Sequence, residues 1–212
     1  MVAAVAAFIG LLWLIHGIAM ASGGSPGALG IRPRDPIGLI GVVTAPLVHG
    51  SASHLFSNTL PLFVLGTALL FGSPRAARIV VPVLWLGSGL AVWLFARDAM
   101  HLGASGLAYG MMTFVFLTGV LRRDARSAAL SMLVFFLHGS MIWGVLPLRE
   151  GISFESHLAG AVIGLFLAIA LHRRDGPRGR PRKYAWEGKE IDEEHPAADL
   201  FMDPDDRPSD RR

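Results

Sequence analysis

The stretch His157-Leu158-Ala159-Gly160-Ala161-Val162-Ile163-Gly164 places one ionisable side chain at the head of an otherwise apolar run. In a helix, Gly160 and Gly164 follow His157 on the same face. A face of small residues lets the backbone of another membrane helix approach closely. The stretch therefore predicts a membrane helix that carries a histidine into contact with a neighbouring helix.

The composition indicates a membrane domain followed by a polar tail. Mean hydropathy is +0.50 and 52% of the 212 residues are hydrophobic, which is too apolar for an ordinary soluble domain. Residues 173–212 hold 10 of the 19 Lys and Arg residues and 11 of the 16 Asp and Glu residues. We predict a membrane domain at 1–172 and a charged, disordered cytoplasmic tail at 173–212. The chain has no cysteine, which excludes disulfides, thiol catalysis and cysteine-ligated zinc.

Apolar windows predict an all-α membrane protein with six spans, because a span needs about 20 predominantly apolar residues. The predicted spans are Val2–Met20, Ser53–Phe71, Ile79–Ala96, Gly103–Leu121, Ala128–Leu146 and Ser156–Leu171. The first is interpreted as a retained span, since no basic region precedes it and no evident cleavage site follows it. The form of a further apolar segment, Ile37–Val48, is left open, and a seventh span would follow if it crossed the membrane.

Loop arginines predict the orientation, because cytoplasmic loops carry an excess of Lys and Arg. The loops after spans two, four and six carry Arg75, Arg78, Arg122, Arg123, Arg126, Arg173, Arg174, Arg178, Arg180, Arg182 and Lys183. The opposite loops carry only Arg32, Arg34, Arg97 and Arg149. Both termini are therefore predicted to be cytoplasmic. The span ends that bear His54, Ser105 and His157 then face the exterior.

Polar residues at membrane depth are candidates for function, because such side chains are costly there. Ser105, in Gly103-Ala104-Ser105-Gly106, is the candidate nucleophile and would need an adjacent base. His157 is the candidate base, and the predicted helix start just before Ser105 would offer N–H groups to an oxyanion. Asp98 and Glu155 are close in sequence, but nothing in the pattern assigns either to orient the imidazole. The alternatives are a small-residue packing motif around the serine and an interfacial histidine.

A second polar pair, His54 and Asn58, projects from one face of span two and supplies candidate oxyanion donors. The alternative for this pair is hydrogen bonding between helices. Tyr109 shares a helix face with Ser105 and either packs against the base or is simply a buried aromatic. A metal site at His49 and His54 is disfavoured, because no third ligand stands at suitable spacing on the same helix.

These pieces in combination resemble the rhomboid family of intramembrane serine proteases. The resemblance covers roughly residues 2–172 and is carried by His49-Gly50-Ser51-Ala52-Ser53-His54-Leu55-Phe56-Ser57-Asn58, then Gly103-Ala104-Ser105-Gly106 with Tyr109, then His157-Leu158-Ala159-Gly160 with Gly164. Gly30-Ile31-Arg32-Pro33-Arg34 is similar to an upstream stretch of bacterial members.

The resemblance implies a six-helix bundle in which Ser105 is the nucleophile and His157 the general base. His54, Asn58 and the backbone N–H of Ser105 would form the oxyanion hole. The residues that would support the site, by stacking on the base or by close helix packing, are Tyr109, Gly103, Gly106, Gly160 and Gly164. Members of the family need no cofactor.

The chain departs from the family pattern in its first external loop and at its substrate gate. The loop, about Ala21–Pro36, is short and lacks the common Trp-Arg pair. Ser57 precedes Asn58 at a position where some relatives carry bulky aromatics, which implies looser substrate access. The gating residue of span five is left open among Phe135, Phe136 and Trp143.

We therefore expect a multi-pass plasma-membrane serine endopeptidase that cleaves transmembrane segments of other proteins near the outer face. The expected partners are these substrates and the lipid bilayer, with no nucleic acid, metal or cofactor. One alternative is a catalytically inactive relative that binds transmembrane clients, although such relatives typically lack the serine or the histidine. The other is a small transporter, which would need polar groups along a path through the bundle rather than at one end.

Overall fold

Six long apolar helices form a bundle in the computed structural model, which describes residues 1–148 and 151–176. They are α1 (Val2–Ala21), α3 (Ala52–Gly72), α4 (Pro74–Phe95), α5 (Ser105–Arg122), α6 (Ala125–His138) and α7 (Phe154–Leu171), and α6 continues as the 3-10 segment Gly139–Val145. The prediction of six spans in an all-α protein is confirmed. Arg149 and residues 177–212, which include most of the predicted tail, lie outside the described residues.

The segment left open in the sequence is the short apolar helix α2 (Ile37–Leu47), which is too short to span. A Cβ at Gly38 would meet the carbonyl oxygen of Arg32, and a Cβ at Gly41 would meet that of Gly30. The glycines therefore let α2 lie directly against the first loop. This packing keeps the apolar segment at one end of the bundle.

One helix, α4, begins well before the start that the charge-free window predicted. α4 begins at Pro74 instead of Ile79, with proline in its first turn, where a missing N–H costs nothing. The Asp175 carboxylate accepts hydrogen bonds from the N–H groups of Arg75 at 3.0 Å and Ala76 at 2.8 Å. The charged residues Arg75 and Arg78 thus belong to α4. The helix can begin before them because an acidic side chain from another part of the chain caps its first N–H groups.

The helix α5 occupies the centre of the bundle. Of its apolar window 56% is buried, against 17% for Ala125–Val145 and 22% for α7, so those two present most of their surface outward. Phe114, halfway along α5, is fully buried in the apolar core. Ser105, the candidate nucleophile on α5, therefore belongs to the most enclosed element of the fold.

Glycines bring the backbones of α5 and α7 into direct contact. A Cβ at Gly160 would collide with the carbonyl oxygen of Gly106, and a Cβ at Gly164 with that of Gly110. A Cβ at Gly106 would lie 3.0 Å from the carbonyl oxygen of Ser156. Small residues at such interfaces allow close packing, which drives helix association in membranes. The first turns of the two helices therefore lie side by side.

The end of the bundle where α3, α5 and α7 begin is called the site end, and the other the opposite end. At the opposite end, Arg122 donates hydrogen bonds to the carbonyl oxygens of Gly72 and His172 and, at 2.9 Å, to the hydroxyl of Ser73. One guanidinium thus ties the last residue of α5 to the ends of α3 and α7. These contacts hold α3, α5 and α7 together at the opposite end.

Replacing Gly160 with alanine is expected to lower the stability of the bundle by about 1–3 kcal/mol, the typical cost of overpacking. The added methyl group meets backbone of α5, which has no rotamer to change. The measurement is thermal unfolding in detergent. Gly10→Ala is the control, because a Cβ at Gly10 meets nothing within 4 Å. Equal melting temperatures for the two variants would contradict the close α5–α7 contact.

Candidate active site

Ser105 is the first residue of α5, and the loop before it turns sharply. Gly103 adopts φ +103°, a conformation that favours glycine, and its N–H donates to the carbonyl oxygen of Ala45 at 2.9 Å. A Cβ at Gly103 would also lie 2.7 Å from the His54 imidazole. The first N–H groups of a helix lack intrahelical partners. The serine hydroxyl therefore sits beside N–H groups that are available to an anion.

His157 lies in the first turn of α7, and its Nε2 is 2.9 Å from the Oγ of Ser105. Its Nδ1 is 2.8 Å from the carbonyl oxygen of Gly144. Because a carbonyl only accepts, the Nδ1–H donates to Gly144, and Nε2 is left to accept the serine O–H. The pair thus has the polarity that a general base requires.

The Gly144 carbonyl stands where many serine hydrolases have a carboxylate, and sequence reasoning missed it. Glu155, the nearer acidic candidate, instead pairs with Arg97 at 3.5 Å. The 3-10 segment that continues α6 brings the carbonyl to the imidazole. A Cβ at Gly144 would collide with the hydroxyl of Tyr109. A backbone carbonyl has no residue-type signal, and only the glycine's lack of room marks the position.

The Tyr109 ring stacks on the His157 imidazole, with centroids 4.0 Å apart and an interplanar angle of 6°. Tyr109 follows Ser105 by one helical turn, so a single helix supplies both the serine and the surface against which the imidazole lies. Stacking and the two hydrogen bonds together leave the imidazole little freedom to rotate.

His54 and Asn58 line the same cavity as the Ser105–His157 pair, a space of ≈ 730 Å³ at the site end. The Asn58 amide donates one N–H to the carbonyl oxygen of His54 at 2.9 Å. Its NH₂ group has a second hydrogen, and the His54 side chain is only partly buried. The structure thus brings all four polar residues of the sequence prediction to one cavity.

The part of the cavity wall that comes from span five differs from the sequence candidates. Phe135, Phe136 and Trp143 are exposed, and none of them lines the cavity among the residues that the structure describes. Met141, from the 3-10 segment, does line it, and so does Ser57. The segment contributes a side chain from the turn where its helix tightens, which helical periodicity does not locate.

His49 is fully buried behind the site, with its ring edge-on to the His54 ring at 5.0 Å. Burial lowers its pKa to about 4 from the ordinary 6.5, with further contributions from the neighbouring His54 and His16. The neutral ring accepts a long hydrogen bond, 3.4 Å, from the N–H of Ala104. Within residues 1–148 and 151–176, no three His, Cys, Asp or Glu side chains form a metal-binding group.

The fold and this cavity define a polytopic membrane protein with a hydrogen-bonded serine–histidine pair at one end of its bundle. The Rhomboid domain matches residues 37–174, and the chain belongs to the rhomboid family. The family prediction from the sequence is thereby confirmed.

Proteins of mycobacteria and of a plant are similar to this chain. An uncharacterized protein of Mycobacterium tuberculosis is 34% identical over 173 residues, which cover 77% of this chain and 72% of the relative. An uncharacterized protein of Mycobacterium leprae is 31% identical over 173 residues, 77% of this chain and 68% of the relative. RHOMBOID-like protein 2 of Arabidopsis thaliana is 28% identical over 145 residues, 66% of this chain and 42% of the relative.

His49 is expected to make the folded protein less stable as the pH falls from 6.5 to about 4. In that window the unfolded chain binds a proton at His49 that the folded chain does not, so stability is full above 6.5 and declines below it. The loss is on the order of 1 kcal/mol per pH unit. Melting temperatures of the wild type and His49→Gln across pH 4–8 measure it, since glutamine keeps an acceptor near Nε2 and does not titrate. Parallel curves would refute the assignment.

Proposed function

We propose that this protein is an intramembrane serine endopeptidase that cleaves transmembrane segments with a Ser105–His157 dyad. The observation that carries the proposal is the 2.9 Å contact from Nε2 of His157 to the Oγ of Ser105, in a cavity at the end of a membrane bundle. Membership of the rhomboid family and the tautomer imposed by Gly144 support it.

The proposed reaction starts with attack by Ser105 Oγ on a peptide carbonyl carbon, while its proton passes to Nε2 of His157. The oxyanion would receive hydrogen bonds from His54, Asn58 and the N–H of Ser105. Collapse breaks the C–N bond, and the Nε2 proton goes to the leaving amine. A water molecule then attacks the acyl-enzyme, giving one proton to Nε2, and the Ser105 hydroxyl is restored as the carboxyl product leaves.

The proposed substrate is a transmembrane segment of another protein, cut near the outer face of the plasma membrane. Water-accessible polar backbone at membrane depth is tolerated where it lines a cavity. Arg75, Arg122, Arg126 and Arg173 belong to the opposite end, which the positive-inside rule assigns to the cytoplasm together with both termini. The site would then lie on the exterior side, reached laterally from the bilayer.

Two other functions receive less support. An inactive client-binding relative has no need of a hydrogen-bonded nucleophile and base, both of which this chain has. A transporter needs a cavity that continues through the bundle, whereas the residues that line this cavity belong to the site end. The dyad therefore favours the hydrolase.

Ser105→Ala is expected to abolish cleavage of a transmembrane reporter in liposomes, a loss of at least about 10³-fold, because the nucleophile is gone. Ser131→Ala is the matched control: Ser131 is buried, donates to the carbonyl oxygen of Phe116 at 2.8 Å, and does not line the cavity. The control should cleave like the wild type. Residual turnover by a well-folded Ser105→Ala protein would overturn the proposal.

Gly144→Ala is expected to lower kcat by about 10–10²-fold, since a shift of about 1 Å in a reacting group has that scale of effect. The new methyl group must displace either the Tyr109 ring or the carbonyl that holds His157. Gly139→Ala in the same 3-10 segment is the control, as its Cβ meets only the Phe135 ring at 3.4 Å or more. If both variants cleave at the wild-type rate, the carbonyl does not orient the base.

A further inference from the structure

We propose that His101 is a positioning residue that holds the loop of the nucleophile against the helix of the base, an inference that rests on the proposed function. His101 is 2% exposed, and its Nδ1 lies 2.7 Å from the Oγ of Ser153. Ser153 is the N-cap of α7, and its carbonyl oxygen accepts the N–H of His157 at 3.4 Å. A path of two hydrogen bonds therefore joins the loop before Ser105 to the backbone of the base.

The His101 side chain is fixed before it reaches Ser153. Its Nε2 lies 3.1 Å from the carbonyl oxygen of Arg97, one loop turn earlier. Its backbone forms an antiparallel bridge with Ile31, in which both hydrogen bonds are made, at 2.8 and 3.0 Å. Because ring and backbone are both anchored, the Nδ1 atom has a set position relative to the loop that leads into Ser105.

The direction of each hydrogen bond in this network follows from its acceptors. The Arg97 carbonyl only accepts, so Nε2–H donates and Nδ1 must accept the Ser153 O–H. The Ser153 oxygen in turn accepts from the Ser156 hydroxyl at 2.7 Å and from the Ser156 N–H at 3.3 Å. Every polar atom of the network has a partner, which gives a single arrangement with no competing one.

The network acts at the first turn of α7, which comes before the two glycines of that helix. Gly160 and Gly164 fix α7 against α5 along their length, but both lie beyond His157 in the helix. At the near end, the backbone of Gly106 lies close to the Ser156 carbonyl, and the tie to the Ser105 loop passes through His101 and Ser153. Arg97 also reaches this end, through a hydrogen bond to the Ile152 carbonyl oxygen at 2.7 Å and a pair with Glu155, but its side chain is 44% exposed, and exposed pairs contribute little. His101 is thus a buried side-chain contact that helps to set how far the first turn of α7 stands from Ser105.

Two variants, each of which reproduces the position of one ring nitrogen, separate this role from a purely structural one. In His101→Asn the side-chain oxygen takes the place of Nδ1 and still accepts from Ser153, while the bond to Arg97 is lost. In His101→Gln the terminal amide takes the place of Nε2 and keeps the bond to Arg97, while the bond to Ser153 is lost. We expect His101→Asn to keep kcat within about threefold of wild type and His101→Gln to lower it by about 10–10²-fold with KM unchanged.

The experiment measures reporter cleavage in liposomes and the rate at which a fluorophosphonate labels Ser105, both for the full-length protein. Ser153→Ala should behave like His101→Gln, and Ser153→Thr, which keeps a hydroxyl and a cap, should restore kcat. Asp124→Ala is the stability control: it removes the N-cap of α6, which accepts the Ser127 N–H at 3.0 Å, at the opposite end. This control should lower the melting temperature and leave kcat unchanged.

Each other outcome decides against the inference. His101 would have only a structural role in the core if the Asn and Gln variants had equal kcat. The same conclusion would follow if kcat simply tracked the melting temperature across all variants. A raised KM with unchanged kcat would make it a contact of the substrate. If the wild-type protein neither cleaves the reporter nor is labelled at Ser105, the proposed function fails, and the inference fails with it. If the wild type is active but the variants do not rank as expected, only the inference fails.

Discussion

The backbone contact between α5 and α7 is the constraint on which the rest of the structure depends. Carbonyl oxygens of Gly106 and Gly110 occupy the space that side chains at Gly160 and Gly164 would need. Lipid is as apolar as a leucine side chain, so the hydrophobic effect does not select this approach, and close packing must. The same approach places Ser105 and His157, one from each helix, at hydrogen-bonding distance. Packing and site geometry therefore share one cause.

A neutral carbonyl as the partner of His157 suits a site inside a membrane. A buried carboxylate would need further hydrogen bonds to offset its desolvation, and the cost of an ion grows where water is scarce. The Gly144 carbonyl fixes the tautomer without carrying a charge. Tyr109, stacked at 4.0 Å, restrains the ring plane. The carbonyl dipole of Gly144 and the ring face of Tyr109 thus orient the imidazole, and both belong to helical segments of the bundle.

Sequence reasoning predicted the spans and the four polar residues because apolar length and costly polar groups leave a signal in residue type. It left open α2 and missed the true start of α4, since a capping carboxylate from Asp175 cannot be read from local pattern. It also missed Gly144, whose contribution is a carbonyl, and His101, which looks like any loop histidine. The features that sequence reasoning missed depend on backbone atoms or on contacts between residues that are distant along the chain.

Two histidine–serine pairs line one cavity, and their surroundings differ. Each ring donates one N–H to a backbone carbonyl and accepts a serine hydroxyl on its other nitrogen, at 2.9 Å for Ser105 and 2.7 Å for Ser153. The Ser153 oxygen is already engaged by the hydroxyl and N–H of Ser156, so its lone pairs are occupied. The Ser105 oxygen stands at a helix start beside N–H groups without intrahelical partners. The same pairing therefore makes a helix cap at Ser153, whereas at Ser105 it leaves the oxygen free, as the proposed role of nucleophile requires.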